Sequence, residues 1–386
     1  YQGNPEGSQT TTVGSATTGS LSGLVSFGAD GPGEFGLSTD VSSLEAQDLK
    51  SGGDPLTYEV VGNVLTATAG GETIFTLTVN TDGSWEFVLE GPLDHPVPDG
   101  SFDSELLPAL GVDFSGVLTV TDGDGDPLAG GFPAGSLTVN VEDDVPRPDG
   151  GEKTVIHQEV QEDALTLLDG APYEGNEEGG QTTIAAGDPG DLFALIDFGA
   201  DGPGSVGLSS DTSSLDAQDL KSEGTELTYS VVGNVLTATA NGNTIFTLTV
   251  DANGSYEFVL SGSLDHPVAD SSLDGETLAG LGIDFSQMIT ATDGDGDPMA
   301  VNLPNGSFAI DVEDDVPVAR EIGQRPWVSN QVDEDELPGG ITDGDTTGTV
   351  ATGAEGALFA AINFGADGPG TVGLTGSPAA IGALQA

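Results

Sequence analysis

The sequence predicts an all-β protein: antiparallel β-sandwich modules strung in tandem as an extended array. Three observations predict it. Whole stretches recur at an offset of 171 residues, as when Phe27-Gly-Ala-Asp-Gly-Pro-Gly33 returns at Phe198 to Gly204. Apolar and polar residues alternate with period two through long segments. Glycine and proline, 60 and 22 of the 386 residues, punctuate those segments where turns are needed. A repeat of this kind argues first for a spacer, because an active site is needed once and a spacer many times.

The strands can be read in turn. Leu56 to Ala69 holds two alternating runs joined at Gly62-Asn63. Phe75, Leu77 and Val79 share one face, with Thr76 and Thr78 on the other. After Asn80-Thr-Asp-Gly83, Trp85, Phe87 and Leu89 resume the apolar face, which is a β-hairpin pattern. The second copy repeats the hairpin with Phe246, Leu248 and Val250, then Tyr256, Phe258 and Leu260. From Leu56 to Val97, 33 of 42 positions match their partners at Leu227 to Val268, so the two copies must share one fold. Leu118 and Val120 supply another strand, and Leu137, Val139 and Val141 the last one before Val145-Pro146. Helical periodicity is confined to one short turn, Leu44 to Lys50, and its twin at Leu215. About seven to nine strands with Gly/Pro-rich turns is the pattern of an immunoglobulin-like or cadherin-like sandwich. A unit of about 170 residues is large for one sandwich, so long loops or a second small sheet must absorb the surplus.

Boundaries are expected after the two Asp-Val-Pro stretches. This gives a first repeat at 1–146 that lacks its first strand, a complete repeat at 147–317, and the start of a third at 318–386. The third copy carries Phe364-Gly-Ala-Asp-Gly-Pro-Gly370 and must borrow neighbours to close. Tyr1-Gln-Gly-Asn4 matches Tyr173-Glu-Gly-Asn176, so the chain reads as a window onto a longer protein.

Composition narrows the partners. There are 64 Asp and Glu against 6 Lys and Arg, a formal charge of −58. With 36 % hydrophobic residues the chain is a folded protein with an anionic skin rather than a disordered tail. That surface repels nucleic acid and anionic lipid, and no apolar run approaches the roughly 20 residues of a membrane span. It also repels itself unless cations bind. Cysteine is absent, so metal ions are the expected staple in place of disulfides.

The strongest candidate cation motif is Asp122-Gly-Asp124-Gly-Asp126, repeated as Asp293-Gly-Asp295-Gly-Asp297. Alternate carboxylates separated by glycine can curl around a hard cation. It is not an EF-hand, because Pro127 and Pro133 stand where that loop needs Gly and Glu. The bland reading is an acidic hairpin turn. A second candidate is Glu142-Asp143-Asp144 at a strand exit, with its copy Glu313-Asp314-Asp315. Glu162 and Asp163, and Glu334 and Asp335 in the next copy, lie early in the following module and would complete a cation site shared between consecutive modules. Four of the six basic residues, Arg147, Lys153, Arg320 and Arg325, fall in the same junctions and offer rival ion pairs. Exposed pairs contribute only about 0–1 kcal/mol, so calcium is favoured with those residues as helpers. Asp30, Asp201 and Asp367 of the FGADGPG motif are read either as added ligands or as residues of a plain turn. Asp94-His95 and Asp265-His266 invite a catalytic dyad or zinc. With no Cys, no second His nearby and no Ser nucleophile motif, they read as a turn entering a loop. No carboxylate pair is singled out for hydrolysis either, so no enzyme activity is expected.

The run FGADGPG, LTYxVVGNVLTATA, TIFTLTV, DGSWEF, LDHP, TDGDGDP and VEDDVP resembles the repeat of very large type I-secreted bacterial RTX adhesins, over both full copies and the opening of the third. The resemblance implies an extracellular, Gram-negative cell-surface protein. Its many modules would be stiffened by calcium and hold an adhesive tip away from the envelope, in cell adhesion and biofilm formation. The Gly-Gly-x-Gly-x-Asp nonapeptide runs of that class are missing from these residues, so the secretion route rests on the resemblance. The expected cofactor is therefore Ca²⁺, and the expected partners are neighbouring repeats of the same chain. The alternatives are a self-assembling matrix or filament, in which other copies are the partners, and direct binding of a surface glycan by the repeats.

Overall fold

The computed structural model describes residues 12–14, 21–27, 29, 31–95, 111–149, 154–166, 175, 182–266, 277–319, 329–334, 336–341, 344 and 348–374. The central repeat shows the plan. Its main strands are β1 (Ile156–Gln161), β2 (Ile184–Gly187), β3 (Pro203–Leu208), β4 (Thr228–Val232), β5 (Val235–Ala240), β6 (Asn243–Val250), β7 (Tyr256–Leu260), β8 (Thr277–Asp284), β9 (Ile289–Asp293) and β10 (Phe308–Glu313). One antiparallel sheet has the order β2-β7-β6-β5-β4. A second has the order β1-β10-β8, in which β1 runs parallel to β10 and β8 antiparallel to it. A third pair, β3 with β9, takes up part of the surplus length. The architecture is thus predominantly β and multi-sheet.

Alternation explains the pairing. Along β6, Phe246, Leu248 and Val250 are buried while Thr247 and Thr249 lie on the other face. The hairpin between β4 and β5 closes in two residues, Gly233-Asn234, with Gly233 at φ 62°, a conformation that favours glycine. The helical turn expected at Leu215 is Ser213–Asp216, with Leu215 as its buried residue. Phe246 and Phe258 of the five-stranded sheet meet Phe285, which follows β8, and Phe285 meets Phe308 of β10. These rings join the two sheets into one apolar core.

The first repeat follows the same plan, with Thr12–Gly14, Trp85–Leu89, Glu72–Val79, Val64–Ala69 and Thr57–Val61 in its five-stranded sheet. Its core, which includes Phe75, Phe87 and Phe114, is a separate cluster from the central one. Among the described residues, the third segment contributes Ala366, 1 % exposed, to the central core. Short antiparallel pairings tie consecutive units: Arg147–Pro148 with Ile196–Asp197, and Val318–Ala319 with Ile362–Asn363.

Gly204 shows how the fold positions an acidic loop. It lies at a bulge where β3 crosses the end of β9, and a Cβ there would overlap the backbone carbonyl of Asp293. Gly33 stands in the same relation to Asp122. Gly204→Ala should push the Asp293 backbone aside and destabilise the central repeat by about 1–3 kcal/mol. Thermal melting checks this, and an unchanged melting temperature would contradict the close approach.

Candidate metal centre

The acidic loop after β9 is preshaped by its own backbone. Thr292 bridges to Pro298, the Asp293 N–H donates to the Asp297 carbonyl, and Asp293 Oδ1 accepts from the N–H groups of Gly296 (3.1 Å) and Asp297 (2.7 Å). The loop of the first repeat is built alike, with Asp122 Oδ1 accepting from Gly125 (3.1 Å) and Asp126 (2.9 Å). Their surroundings differ. Asp124 and Asp126 are exposed and Asp122 half-buried, whereas Asp293 is 2 % and Asp297 1 % exposed, because the end of the first repeat covers the second loop.

At this first junction, residues far apart in sequence converge. The His95 backbone N–H donates to Asp295 Oδ2 at 2.9 Å, and the Ala200 N–H to Asp144 Oδ2 at 2.9 Å. Asp201, Asp293 and Asp295 each offer an oxygen within 4.8 Å of the others, and Asp295 also meets Asp143 and His95 within that limit. The second junction repeats the arrangement. Ala366 donates to Asp315 Oδ2 at 2.7 Å, and Glu162, His266 and Asp314 form the cluster beside Asp367. Glu162 is fully buried, with Oε1 accepting from the Leu264 N–H at 2.7 Å.

Among the described residues, four buried carboxylate oxygens accept no hydrogen bond: Asp143 Oδ2, Glu162 Oε2, Asp293 Oδ2 and Asp295 Oδ1. All four lie at the two junctions. Leaving a buried carboxylate oxygen unpaired is costly, so native proteins satisfy such atoms or put a cation beside them. The electrostatics agree. Burial, then the charges of Asp295, Asp143 and Asp293, push Asp201 up to about 8, with His95 pulling the other way. Burial, then the adjacent Asp295 carboxylate, push Asp293 up to about 8, against the backbone N–H of Asp297. Burial and then Asp314 raise Asp367 to about 7, and burial first of all raises Glu162 well above its usual range. Burial alone would lower His95, but the hydrogen bond and charge of Asp143, with the Val141 and Leu93 carbonyls, raise it to about 9. These clusters are able to coordinate a metal ion.

The candidate residues therefore divide. Asp143, Asp144, Asp201, Asp293, Asp295, Glu162, Asp314, Asp315 and Asp367 gather at the junctions, and Asp297 closes the loop there. Glu142 is exposed, Glu313 accepts from Gln161 Nε2 on the face of the sheet, and neither enters a cluster. Asp163 is buried beside Glu162, and Glu334 is exposed. Asp122, Asp124 and Asp126 form an exposed cluster of their own. Asp30 and Asp335 lie outside the described residues, as do Lys153, Arg320 and Arg325. Arg147 pairs with Asp197 at 3.5 Å. The histidines are what sequence reasoning missed. His95 does sit in a loop after a turn, but it is 7 % exposed and inside the junction, and His266 has the same place one repeat later. Their recurrence in LDHP was the available signal.

Residues 6–130 and 160–303 match a family described as a domain of unknown function (DUF5801), and the chain belongs to that family. The two matched stretches fall on the two repeats. No curated protein and no solved structure matches the chain. Among the described residues, no helix is long and apolar enough to cross a membrane.

Proposed function

We propose that this chain is part of the extender of a secreted bacterial surface adhesin of the type I-secreted RTX class. Its repeats would be immunoglobulin/cadherin-like β-sandwiches stiffened by calcium where one meets the next, in the service of cell adhesion and biofilm formation outside the cell. The role is mechanical rather than catalytic. The observation that carries the reading is the gathering of buried, unpaired carboxylate oxygens at the two repeat junctions. Asp143, Asp201, Asp293 and Asp295 would hold the ion at the first junction, and Glu162, Asp314 and Asp367 at the second. The ligand chemistry is carboxylate oxygen with no thiolate in the chain, which suits a hard cation such as calcium. The ion would supply positive charge and oxygen coordination. It would cancel the repulsion among these carboxylates and bind one repeat to the next, since Asp143 comes from the first and the others from the second. Extracellular calcium modules bind at about 10⁻⁴ to 10⁻³ M, within the range of sea water and host fluids.

Small-angle X-ray scattering on the full chain tests the reading. Millimolar calcium should give a fixed maximum dimension, and EDTA a broader and more flexible profile. Identical profiles would reduce the carboxylates to a solubilising skin and favour the matrix or glycan-binding alternatives.

A further inference from the structure

Taking the cation sites proposed above as given, we infer that Asp94 and Asp265 are positioning residues: each holds an LDHP loop whose backbone N–H groups turn a junction carboxylate toward the ion. Among the described residues, neither aspartate belongs to a metal cluster itself. Asp94 lies against a tight turn of its own repeat, where Lys50–Ser51 pairs antiparallel with Asp54–Pro55. Gly52 and Gly53 of that turn stand at φ 59° and 82°, a left-handed conformation open to glycine. Their two successive N–H groups form a small anion-binding concavity. Asp94 fills it, with Oδ1 accepting from Gly52 at 2.6 Å and Oδ2 from Gly53 at 2.9 Å. The Asp94 N–H donates back to the Lys50 carbonyl at 2.9 Å. Asp265 repeats the clasp, with Oδ2 accepting from Gly224 at 2.8 Å and its N–H donating to the Lys221 carbonyl at 2.7 Å.

The clasp matters because of what the residues on either side of it hold. After Asp94, the His95 N–H donates to Asp295 Oδ2 of the next repeat at 2.9 Å. Before Asp265, the Leu264 N–H donates to Glu162 Oε1 at 2.7 Å. In each case one carboxylate oxygen is bonded to the loop, and the other, Asp295 Oδ1 or Glu162 Oε2, is buried and accepts no hydrogen bond. A carboxylate fixed by one oxygen presents the other at a set place, which is how hydrogen-bonded neighbours orient the ligands of a metal. The loop is fixed in its turn, because hydrogen bonds in both directions tie Asp94 to a hairpin of its own repeat. Asp94 thereby links the fold of one repeat to the aim of a carboxylate on the next. The Asp-His pair read in the sequence divides its parts accordingly: the aspartate faces the glycine turn, and the histidine offers its backbone to the junction.

Two measurements on the full chain test this, one of them independent of any ion. The first is hydrogen exchange of the His95 amide in EDTA, read by nitrogen-15 histidine labelling with His157 of β1 as reference. Asp94→Ala should speed exchange at His95 on the order of tenfold and leave His157 unchanged. The second is calcium titration. Asp94→Ala should weaken binding at the first junction by about 10-fold to 100-fold, while the melting temperature in EDTA stays near that of the parent. Asp94→Asn keeps one acceptor for the two glycine N–H groups and should fall between, so it carries the test if the alanine variant does not fold. An unchanged His95 amide overturns the clasp. Faster exchange with unchanged calcium affinity overturns the positioning role. A parent chain that binds no calcium sinks the cation sites and the aiming role with them, whereas exchange at His95 still upholds or overturns the clasp.

Discussion

In EDTA, the melting temperature of the chain should rise as the pH falls from about 8 toward 4, by about 5–10 °C, the reverse of ordinary acid denaturation. The sign follows from the junction carboxylates. Asp201 and Asp293 are raised from 3.8 to about 8 in the folded chain, and Asp367 to about 7. A group whose folded pKa is raised contributes stability that is full below its unfolded value and is lost as the pH climbs through its folded value. Across this window the folded chain holds protons that the unfolded chain releases, so acid favours folding. His95, raised from 6.5 to about 9, acts in the same direction, its contribution complete below 6.5 and lost toward 9. Carboxylates of the opposite kind include Asp113. Burial would raise it, but the Ser115 hydroxyl and the Ser115 and Gly135 N–H groups hold it below its usual value, so its contribution fails only as the pH falls below 3.8. On the proposed function, calcium would bind the ionised carboxylates and so replace the protons where these are scarce. Its stabilisation should be largest near pH 8 and small near pH 4, and millimolar calcium should flatten the pH profile. Calorimetry in EDTA and in calcium gives the answer. A melting temperature in EDTA that falls steadily from pH 8 to 4 would mean that these carboxylates are solvated, and the junction reading would fail with it.

Phe285→Ala should unfold the central repeat well below the temperature at which the first repeat melts. Phe285 is fully buried, with its ring 5.9 Å from Phe246, 5.9 Å from Phe258 and 5.8 Å from Phe308. It lies between the five-stranded sheet and the three-stranded one, beside the direct contact of Tyr256 with Phe308 at 4.8 Å. Truncation to alanine removes the transfer free energy of a large side chain and leaves a cavity between two rigid sheets, a loss of about 3–5 kcal/mol. In a unit of this size that lowers the melting temperature by about 2–4 °C per kcal/mol. The loss should be confined to one repeat, because the core containing Phe75, Phe87 and Phe114 is a separate cluster. Calorimetry should resolve two transitions, one displaced and one in place, and Phe114→Ala should exchange their roles. Equal displacement of both would show the repeats melting as one cooperative body.

Much of this was legible in the sequence, for reasons that can be stated residue by residue. The alternation in Phe246, Leu248 and Val250 placed β6 and its buried face, because period two can be satisfied only by a strand with one side covered. The hairpin at Gly233-Asn234 was legible because a two-residue turn needs a residue that tolerates positive φ. Asp293 and Asp295 were singled out by alternate spacing with glycine, and the structure puts them beside Asp143 and Asp201. What the sequence could not separate was Asp122 from Asp293. The two loops share a sequence and a local hydrogen-bond pattern, and only the neighbour that covers one of them makes it buried. Glu142 and Glu313 mark the same limit from the other side. In a run of three acids at a strand exit, the backbone decides which side chains face the next repeat, and composition treats all three alike. The histidines were passed over because a short motif carries no sign of the distant carbonyl, Val141 for His95 and Val312 for His266, that its ring reaches.

The parallel partnership of β1 and β10 has a consequence for a chain under tension. The strand that opens the central repeat and the strand that closes it lie side by side in register over six pairs, from Ile156 with Phe308 to Gln161 with Glu313. Traction on the two ends of the repeat therefore drags these strands past each other along their length. The rungs between them carry the load together in shear, and the ladder cannot be unzipped one rung at a time. Resistance to such a pull is set by the rate of crossing an unfolding barrier rather than by equilibrium stability. A repeat tied off in this way would give abruptly, and only after the whole ladder had been strained at once.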